Sequence, residues 1–197
     1  MGRNSVALAA LALGVFAASS ANAQATSSSA SGVSFGISAG LAMPTGDLKK
    51  IEGTEIANNG FTVAGQLGYQ PASMPVGFRV DAGYTRFGVN KDLADDANFS
   101  IISGIVNALV NVPMSGSVTP YALAGVGFGS VKVSGEGESE SSTGLAYDVG
   151  AGLRFNLSGM ATNLEAKYVA NGTDKDKILI DGANSFRLTF GIMFGGK

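Results

Sequence analysis

Apolar residues alternate with small or polar residues along most of the chain after Val33, a period of two that is typical of β-strands. The segment 144–157 shows the pattern most clearly, because Tyr147 lies on an apolar face whereas Asp148 and Arg154 lie on the opposite face. The same alternation predicts eight strands, at 33–43, 61–70, 76–87, 99–112, 121–133, 144–157, 163–170 and 186–194.

The connections between these strands alternate in length and in charge. Three are short and uncharged, at 71–75, 113–119 and 158–162. Four are long and polar, at 44–60, 88–98, 134–143 and 171–184, and they hold 12 of the 15 acidic residues. The sequence therefore predicts an up-and-down antiparallel meander with one uncharged end and one acidic end, as in outer-membrane barrels with short periplasmic turns and longer external loops.

Charged side chains in the predicted strands fall on the face opposite the large apolar residues. Seven of them share this phase: Arg79, Asp81, Asp148, Arg154, Glu165, Lys167 and Arg187. An Arg or Lys facing lipid near the bilayer midplane costs about 2–4 kcal/mol, so the segregation places these charges inside a barrel and the apolar face against lipid. Arg86 and Lys132 are exceptions, because they lie on the apolar face. Both are at strand ends, where their long side chains reach the membrane–water interface.

The apolar face predicts a lipid-facing surface with aromatic girdles. It is expected to carry Phe35, Phe61, Tyr69, Phe78, Tyr84, Tyr121, Tyr147, Phe155, Tyr168, Phe186, Phe190 and Phe194. Strands of about 10 residues tilted by about 45° rise about 23 Å, close to the apolar band of about 25 Å. The fold expected is an all-β, eight-stranded antiparallel up-and-down transmembrane β-barrel.

A soluble lipocalin-like barrel is the competing architecture, and it would reverse the two faces. Glycines favour the membrane barrel, because they share the charged face and suit a crowded interior: Gly36, Gly40, Gly68, Gly83, Gly150, Gly152 and Gly191.

Composition narrows the possible functions. The chain of 197 residues is 45% hydrophobic and 14% charged, yet it has no run of 18 apolar residues that would predict a membrane-spanning helix. It contains no cysteine and no histidine, which excludes Ser-His-Asp catalysis, thiolate catalysis and Cys-ligated zinc. A net charge of −2 gives no basic footprint for nucleic acid. We therefore expect no catalytic residues, no metal site and no cofactor.

The N-terminus has the three parts of a secretory signal peptide. Arg3 supplies the positive charge, 6–18 form an apolar run, and Ala21, Asn22 and Ala23 form a small-x-small cleavage site. The predicted organisation is a signal peptide at 1–23, a flexible Ser/Ala-rich segment at 24–32 and a barrel domain at 33–197.

Three sequence motifs resemble the family of small Gram-negative outer-membrane β-barrels that includes OmpX and the OmpA membrane domain. They are GLAMPTGD at 40–47, PYALAGVGFG at 120–129 and DVGAGLR at 148–154, and with the phenylalanine-rich end they cover most of 33–194. The resemblance implies an eight-stranded barrel in the cell outer membrane, exported through the periplasm and inserted by the barrel-assembly machinery. Its expected surroundings are outer-membrane lipid and lipopolysaccharide, and a monomer is expected.

Two groups of residues are candidate functional sites. The seven inner charges form either an ion-pair network that fills the lumen or a narrow polar path for small solutes. The long loops carry 12 acids against five lysines, a net charge of −7. Either they are solvated, or they attract divalent cations or a basic partner through Asp92, Asp95, Asp96, Glu136, Glu138 and Glu140.

These features favour a non-enzymatic outer-membrane barrel with a structural or surface-interaction role in the envelope. A narrow pore or small-hydrophobe channel of the OmpW-like kind is the first alternative, and an adhesin is the second. Lipid-modifying barrel enzymes have a similar size, but the families in question rely on a catalytic histidine, which this chain lacks.

Overall fold

The computed structural model describes residues 32–51, 54–72, 74, 76–89, 98–112, 114, 116–135, 138–173 and 182–195. The predicted signal peptide lies outside the described residues, and so does the predicted flexible segment except for Gly32, which begins the first strand. Among the described residues, no helix has the length and the apolar character needed to cross a bilayer.

The described chain is almost entirely β-strand. The strands are β1 (Gly32–Thr45), β2 (Lys50–Ile51), β3 (Thr54–Glu55), β4 (Ala57–Gln70), β5 (Val76–Val89), β6 (Asn98–Asn111), β7 (Val118–Gly135), β8 (Glu138–Leu157), β9 (Met160–Asn171) and β10 (Asn184–Gly195). A single 3₁₀ turn, Gly46–Leu48, follows β1. The eight long strands coincide with the eight predicted segments and extend most of them by a few residues.

Eight strands close into an antiparallel barrel in the order β1-β10-β9-β8-β7-β6-β5-β4. The closing seam pairs β1 with β10 from Ser34 opposite Gly195 to Thr45 opposite Asn184. On the outside of this seam the rings of Phe35 and Phe194 stack with their centroids 5.4 Å apart. Because the first and last strands pair, the barrel has no open sheet edge along its wall. The predicted fold class is confirmed.

The short connections match the prediction. The tightest joins β8 to β9 through Ser158 and Gly159, whose φ angles are 51° and 84°. Leu157 pairs with Met160 across this turn. Positive φ at both central residues defines a type I′ turn, the two-residue hairpin whose twist matches that of its strands.

The predicted long loop at 134–143 is instead largely strand. The β7–β8 ladder continues to Gly135 opposite Glu138, whereas the β8–β9 ladder begins only at Ala146 opposite Asn171. The loop prediction was wrong here because Ser, Gly and Glu interrupt the apolar alternation, although the backbones of β7 and β8 remain hydrogen-bonded to each other. The result is a hairpin that continues past the end of β9.

The outer face carries the predicted apolar surface. Phe128 and Val126 are each 65% exposed, as suits side chains that contact lipid rather than a protein core. Eleven of the twelve aromatic residues expected on this face lie there. The exception is Tyr121, which was predicted to face lipid but is only 2% exposed and lies in the lumen.

The lumen is filled in layers. At the end with the long connections a hydrophobic cluster closes it, formed by Ala42, Leu48, Ala57, Phe87, Phe99, Ile101, Val131 and Ala183. Charged and polar side chains occupy the middle, and Leu109, Tyr121 and Leu123 pack together toward the short turns. An eight-stranded barrel has an interior just wide enough for side chains to fill, and this sequence supplies them from both polar and apolar residues.

Candidate functional site: the charged lumen

Opposite walls of the barrel supply the central charges. Arg79 and Asp81 lie on β5, while Glu165 and Lys167 lie on β9. In the closed order of eight strands, β5 and β9 stand four positions apart in either direction. Contacts between these residues therefore cross the full width of the lumen.

The Arg79 guanidinium bridges two carboxylates. Its Nη1 donates to Glu165 Oε2 at 2.7 Å and its Nη2 to Glu165 Oε1 at 3.0 Å. Nη2 also donates to Asp81 Oδ2 at 2.8 Å. The fork of the guanidinium matches the carboxylate of Glu165 with two parallel bonds, the geometry that gives charge-assisted pairs both strength and direction.

Lys167 adds a second cation to the same cluster. Its Nζ lies 3.0 Å from Asp81 Oδ2, 3.3 Å from Asp148 Oδ2 and 3.5 Å from Glu165 Oε1. All five members are buried. Two bases thus serve three acids, so most of the charge that burial would penalise is compensated within a few ångströms.

Neutral polar groups complete the network. Tyr121 donates its hydroxyl hydrogen to Glu165 Oε2 at 2.8 Å, and Asn163 Nδ2 donates to the same Tyr121 oxygen at 3.2 Å. Asn107 Nδ2 donates to Asp81 Oδ2 at 3.3 Å. The Tyr121 and Asn107 bonds add neutral donors to carboxylate oxygens that already contact the two cations, and they tie β6 and β7 to the cluster formed by β5, β8 and β9.

Arg154 lies outside the cluster, toward the short turns. Its guanidinium carbon lies 5.2 Å from the centroid of the Tyr121 ring, and its Nη1 donates to Asn111 Oδ1 at 3.3 Å. Asn111 in turn donates to Gln70 Oε1 at 3.0 Å. This cation is therefore held by a π face and amides rather than by an acid.

Arg187 is also separate from the cluster. Its Nε donates to Ser185 Oγ at 3.1 Å, its Nη2 has no partner, and no described carboxylate lies within ion-pair distance. Beside it, with Lys167 and Asp81, is a cavity of about 20 Å³. That volume holds about one water molecule.

The structure thus brings five of the seven predicted lumen charges into direct contact and leaves Arg154 and Arg187 apart. Chemically, the arrangement offers compensated charge and hydrogen bonds in a filled space.

Of the acidic loop residues, Asp92, Asp95, Asp96 and Glu136 lie outside the described residues, and the side chain of Glu138 is not described. Within the described part of the chain, no group of three or more His, Cys, Asp or Glu side chains is placed to hold a metal ion.

The predicted site comprised the seven charges alone and did not include Tyr121, Asn107 or Asn163. A usable indication exists in β7, where Gly125, Gly127 and Gly129 share the phase of Tyr121. Glycines mark the inner face of the neighbouring strands, so the same rule applied to β7 would have placed Tyr121 inside. The same alternation places the asparagines inside, because Asn163 is two positions before Glu165 and Asn107 shares the polar face of β6 with Ser103 and Asn111.

Comparison with known proteins agrees with this architecture. Residues 8–194 match the family described as the outer membrane protein beta-barrel domain. A 22 kDa outer membrane protein of Rhizobium leguminosarum bv. viciae is 31% identical over 135 residues, which are 60% of this chain. The chain spans 63% of the length of that relative.

Solved structures are similar in fold. Neisserial surface protein A is 21% identical with a TM-score of 0.63, over 84% of this chain and 98% of its own. The attachment invasion locus protein Ail of Yersinia pestis, in complex with the heparin analogue sucrose octasulfate, is 26% identical with a TM-score of 0.54, over 83% of this chain and 99% of its own. The protein is an outer-membrane protein, and the chain belongs to the outer membrane protein beta-barrel domain family.

Proposed function

We propose that this protein is a non-enzymatic outer-membrane barrel with a sealed lumen, whose role is structural and interactive at the cell surface. The observation that supports it best is the ion pair between Arg79 and Glu165, which spans the lumen from one wall to the other. A solute moving through would have to break the two hydrogen bonds of this pair and leave each charge with one ion-pair partner instead of two, Asp81 for Arg79 and Lys167 for Glu165, which is unfavourable for buried charges.

The hydrophobic cluster at the long-connection end supports the same proposal. Phe87, Ile101 and Val131 are fully buried there and offer no polar atom to a passing ion. Transfer of a small ion into such a layer is strongly unfavourable, because nothing replaces its hydration. A conducting path would need both this layer and the ion-pair network to open.

Planar-bilayer recording of the purified, refolded protein tests the sealed lumen. We expect no steady single-channel events from the wild-type chain. The narrow-pore alternative expects steady events that change when Arg154, near the short turns, is replaced by Ala. Observing such events, with loss in Arg154→Ala, would overturn the sealed lumen and favour transport.

The proposal that the barrel is not an enzyme rests on its side-chain chemistry. The chain has no histidine and no cysteine, the usual general base and the most reactive nucleophile. The buried acids accept hydrogen bonds or ion pairs from Arg79, Lys167 and Tyr121. Incubation with phospholipid and lipopolysaccharide vesicles, followed by analysis of released fatty acids, tests this, and turnover above a heat-denatured control would contradict it.

A role in surface attachment is the second candidate. Similarity to Ail, named as an attachment invasion locus protein, favours it together with the β7–β8 hairpin that continues past β9. The net charge of −7 on the long connections opposes a polyanion such as the sulfated sugar bound to Ail, so a basic partner fits better. Cell-adhesion assays with a variant whose hairpin is shortened at residues 134–143 test this role, with the same variant's barrel folding as the control.

The fold also supports a proposal on membrane insertion and oligomeric state. We infer insertion by the barrel-assembly machinery from the family to which the chain belongs, and a monomeric state because the closed wall has no free strand edge for a second copy to pair with. Cross-linking in native membranes tests the state, and a discrete dimer band would contradict a monomer.

A further inference from the structure

Two basic residues on the outer face lie in one row across neighbouring strands. The pairing register places Arg86 of β5 opposite Ser100 of β6, and Ser100 opposite Lys132 of β7. All three side chains point away from the lumen, and both basic residues are exposed. With strands about 4.8 Å apart, the Cα atoms of Arg86 and Lys132 are about 10 Å apart, close enough for both long side chains to reach one group above Ser100.

The row continues as a polar patch on an otherwise apolar wall. Ser141 of β8 lies opposite Lys132, and one row nearer the midplane Thr143 donates a hydrogen bond to Ser130 at 3.1 Å. Below that, the outward positions return to large apolar residues such as Phe128. We call Arg86, Ser100, Ser130, Lys132, Ser141 and Thr143 the basic rim patch.

No described acid neutralises the two cations of the patch. The nearest acid on the hairpin, Glu140, lies opposite Val133 and therefore has the opposite strand phase to Lys132 and Ser141. Neither Arg86 nor Lys132 forms an ion pair with any residue that the structure describes. Within the part of the chain that the structure describes, the basic rim patch is thus positively charged, although the long connections are acidic as a whole.

The position of the patch along the barrel axis determines which part of the membrane it contacts. Along β5 the outward residues run from Phe78, at the short-turn end, to Arg86, a rise of about 20 Å for a strand tilted by about 40°. The patch therefore stands at the opposite interface from the short turns. In this family of folds that interface is the external leaflet, where the long connections lie.

We propose that the basic rim patch binds the phosphorylated headgroup of a glycolipid in the outer leaflet. The Arg86 guanidinium donates paired hydrogen bonds to phosphate oxygens, Lys132 contributes a point charge, and Ser100 between them donates a hydroxyl hydrogen. The acyl chains of the same lipid lie against the apolar residues beneath the patch. The patch and the apolar wall below it therefore contact the headgroup and the acyl chains of one lipid.

Native mass spectrometry of the refolded full chain with bis-phosphorylated lipid A tests the proposal. We expect the wild-type chain to retain lipid A and the double variant Arg86→Gln/Lys132→Gln to bind it about 25-fold more weakly, each charge contributing about fivefold. Ser100→Asp places a carboxylate between the two cations and is expected to weaken binding as well. A heat-modifiable gel shift confirms that each variant is folded.

Lys49→Gln is the matched control, since Lys49 is an exposed lysine at the same end of the barrel but outside the patch. It is expected to bind as the wild type does. Equal retention by the double variant would overturn the proposal, and so would an equal loss in Lys49→Gln, which would indicate diffuse rim charge. Undiminished binding of dephosphorylated lipid A would show that the acyl chains, and not the phosphates, hold the lipid. Full competition by inorganic phosphate would show a general anion site. Either result would contradict a site for a lipid headgroup.

Discussion

Tyr121 and Gly152 lie directly opposite each other in the β7–β8 pair, and the glycine leaves the space that the phenol ring occupies. A methyl group at position 152 would overlap the ring carbon that bears the hydroxyl and the hydroxyl oxygen itself. That hydroxyl is the donor to Glu165, and the ring supports Arg154. The absence of a side chain at Gly152 therefore lets the Tyr121 ring lie between the ion-pair cluster and Arg154, which is nearer the short turns.

Gly152→Ala should destabilise the barrel by about 1–3 kcal/mol, the usual cost of overpacking a filled interior. Urea unfolding in lipid vesicles, followed by gel mobility, measures it. Gly104→Ala is the matched control, because a Cβ at Gly104 meets nothing within 4 Å. We expect the control to be neutral or slightly stabilising. Equal losses in the two variants would show that strand flexibility, and not the Tyr121 contact, is what glycine supplies.

Glu165→Gln should cost about 3–5 kcal/mol, because the change leaves the buried Arg79 guanidinium without the carboxylate that takes its paired hydrogen bonds. The same vesicle unfolding assay measures it, with the exposed Glu140→Gln as a control expected within about 0.5 kcal/mol of wild type. The double variant Arg79→Gln/Glu165→Gln should recover part of the loss, since neither charge is then left unpaired. Strictly additive losses would mean that the two residues are not coupled.

The strand alternation and the position of the charges were readable in the sequence because lipid excludes Arg79 or Lys167 from one face of a strand so strongly. The contacts were not readable in the same way. Whether Arg79 meets Glu165 depends on which strands stand on opposite walls, and that follows from barrel closure and stagger rather than from any local pattern.

Tyr121 shows that residue type alone can mislead. An aromatic ring suits a membrane girdle and a barrel interior equally, so its type carries no information about its face. The alternation with Gly125, Gly127 and Gly129 indicates its face, but the space that its ring fills is left by Gly152, on a different strand and 31 positions along the chain. Residue pairs that fit by volume are therefore the part of the site that the sequence hides.

The outer face should tolerate a new charge only near the rim. Val126→Arg, in the apolar part of β7, is expected to cost about 2–4 kcal/mol, whereas Ser130→Arg, one row from Lys132, is expected to cost about 0–1 kcal/mol. Both residues share a strand and a face, so the comparison isolates depth in the bilayer. Unfolding in vesicles provides both values. Similar costs would contradict the assignment of the Lys132 row to the membrane interface.

Arg187 and Arg79 should respond differently to the same substitution. Arg79 holds two carboxylates, so Arg79→Met should cost about 3–5 kcal/mol by leaving Glu165 and Asp81 short of a cation. Arg187 has a single hydrogen bond to Ser185 and no carboxylate within ion-pair distance among the described residues. Arg187→Met should therefore be neutral within about 1 kcal/mol or stabilising, because an apolar side chain of similar length removes an uncompensated buried charge.

The charge balance of the lumen also predicts that Arg187→Met does not destabilise the barrel. The seven inner charges comprise four bases and three acids, so its removal leaves them balanced. Arg187→Lys keeps the charge without the guanidinium and serves as the control, expected to be no more stable than the wild type. If Arg187→Met instead destabilised the barrel as much as Arg79→Met, then the field of the buried acids, with Asp81 on the same water-sized cavity, would be stabilising Arg187 without direct contact.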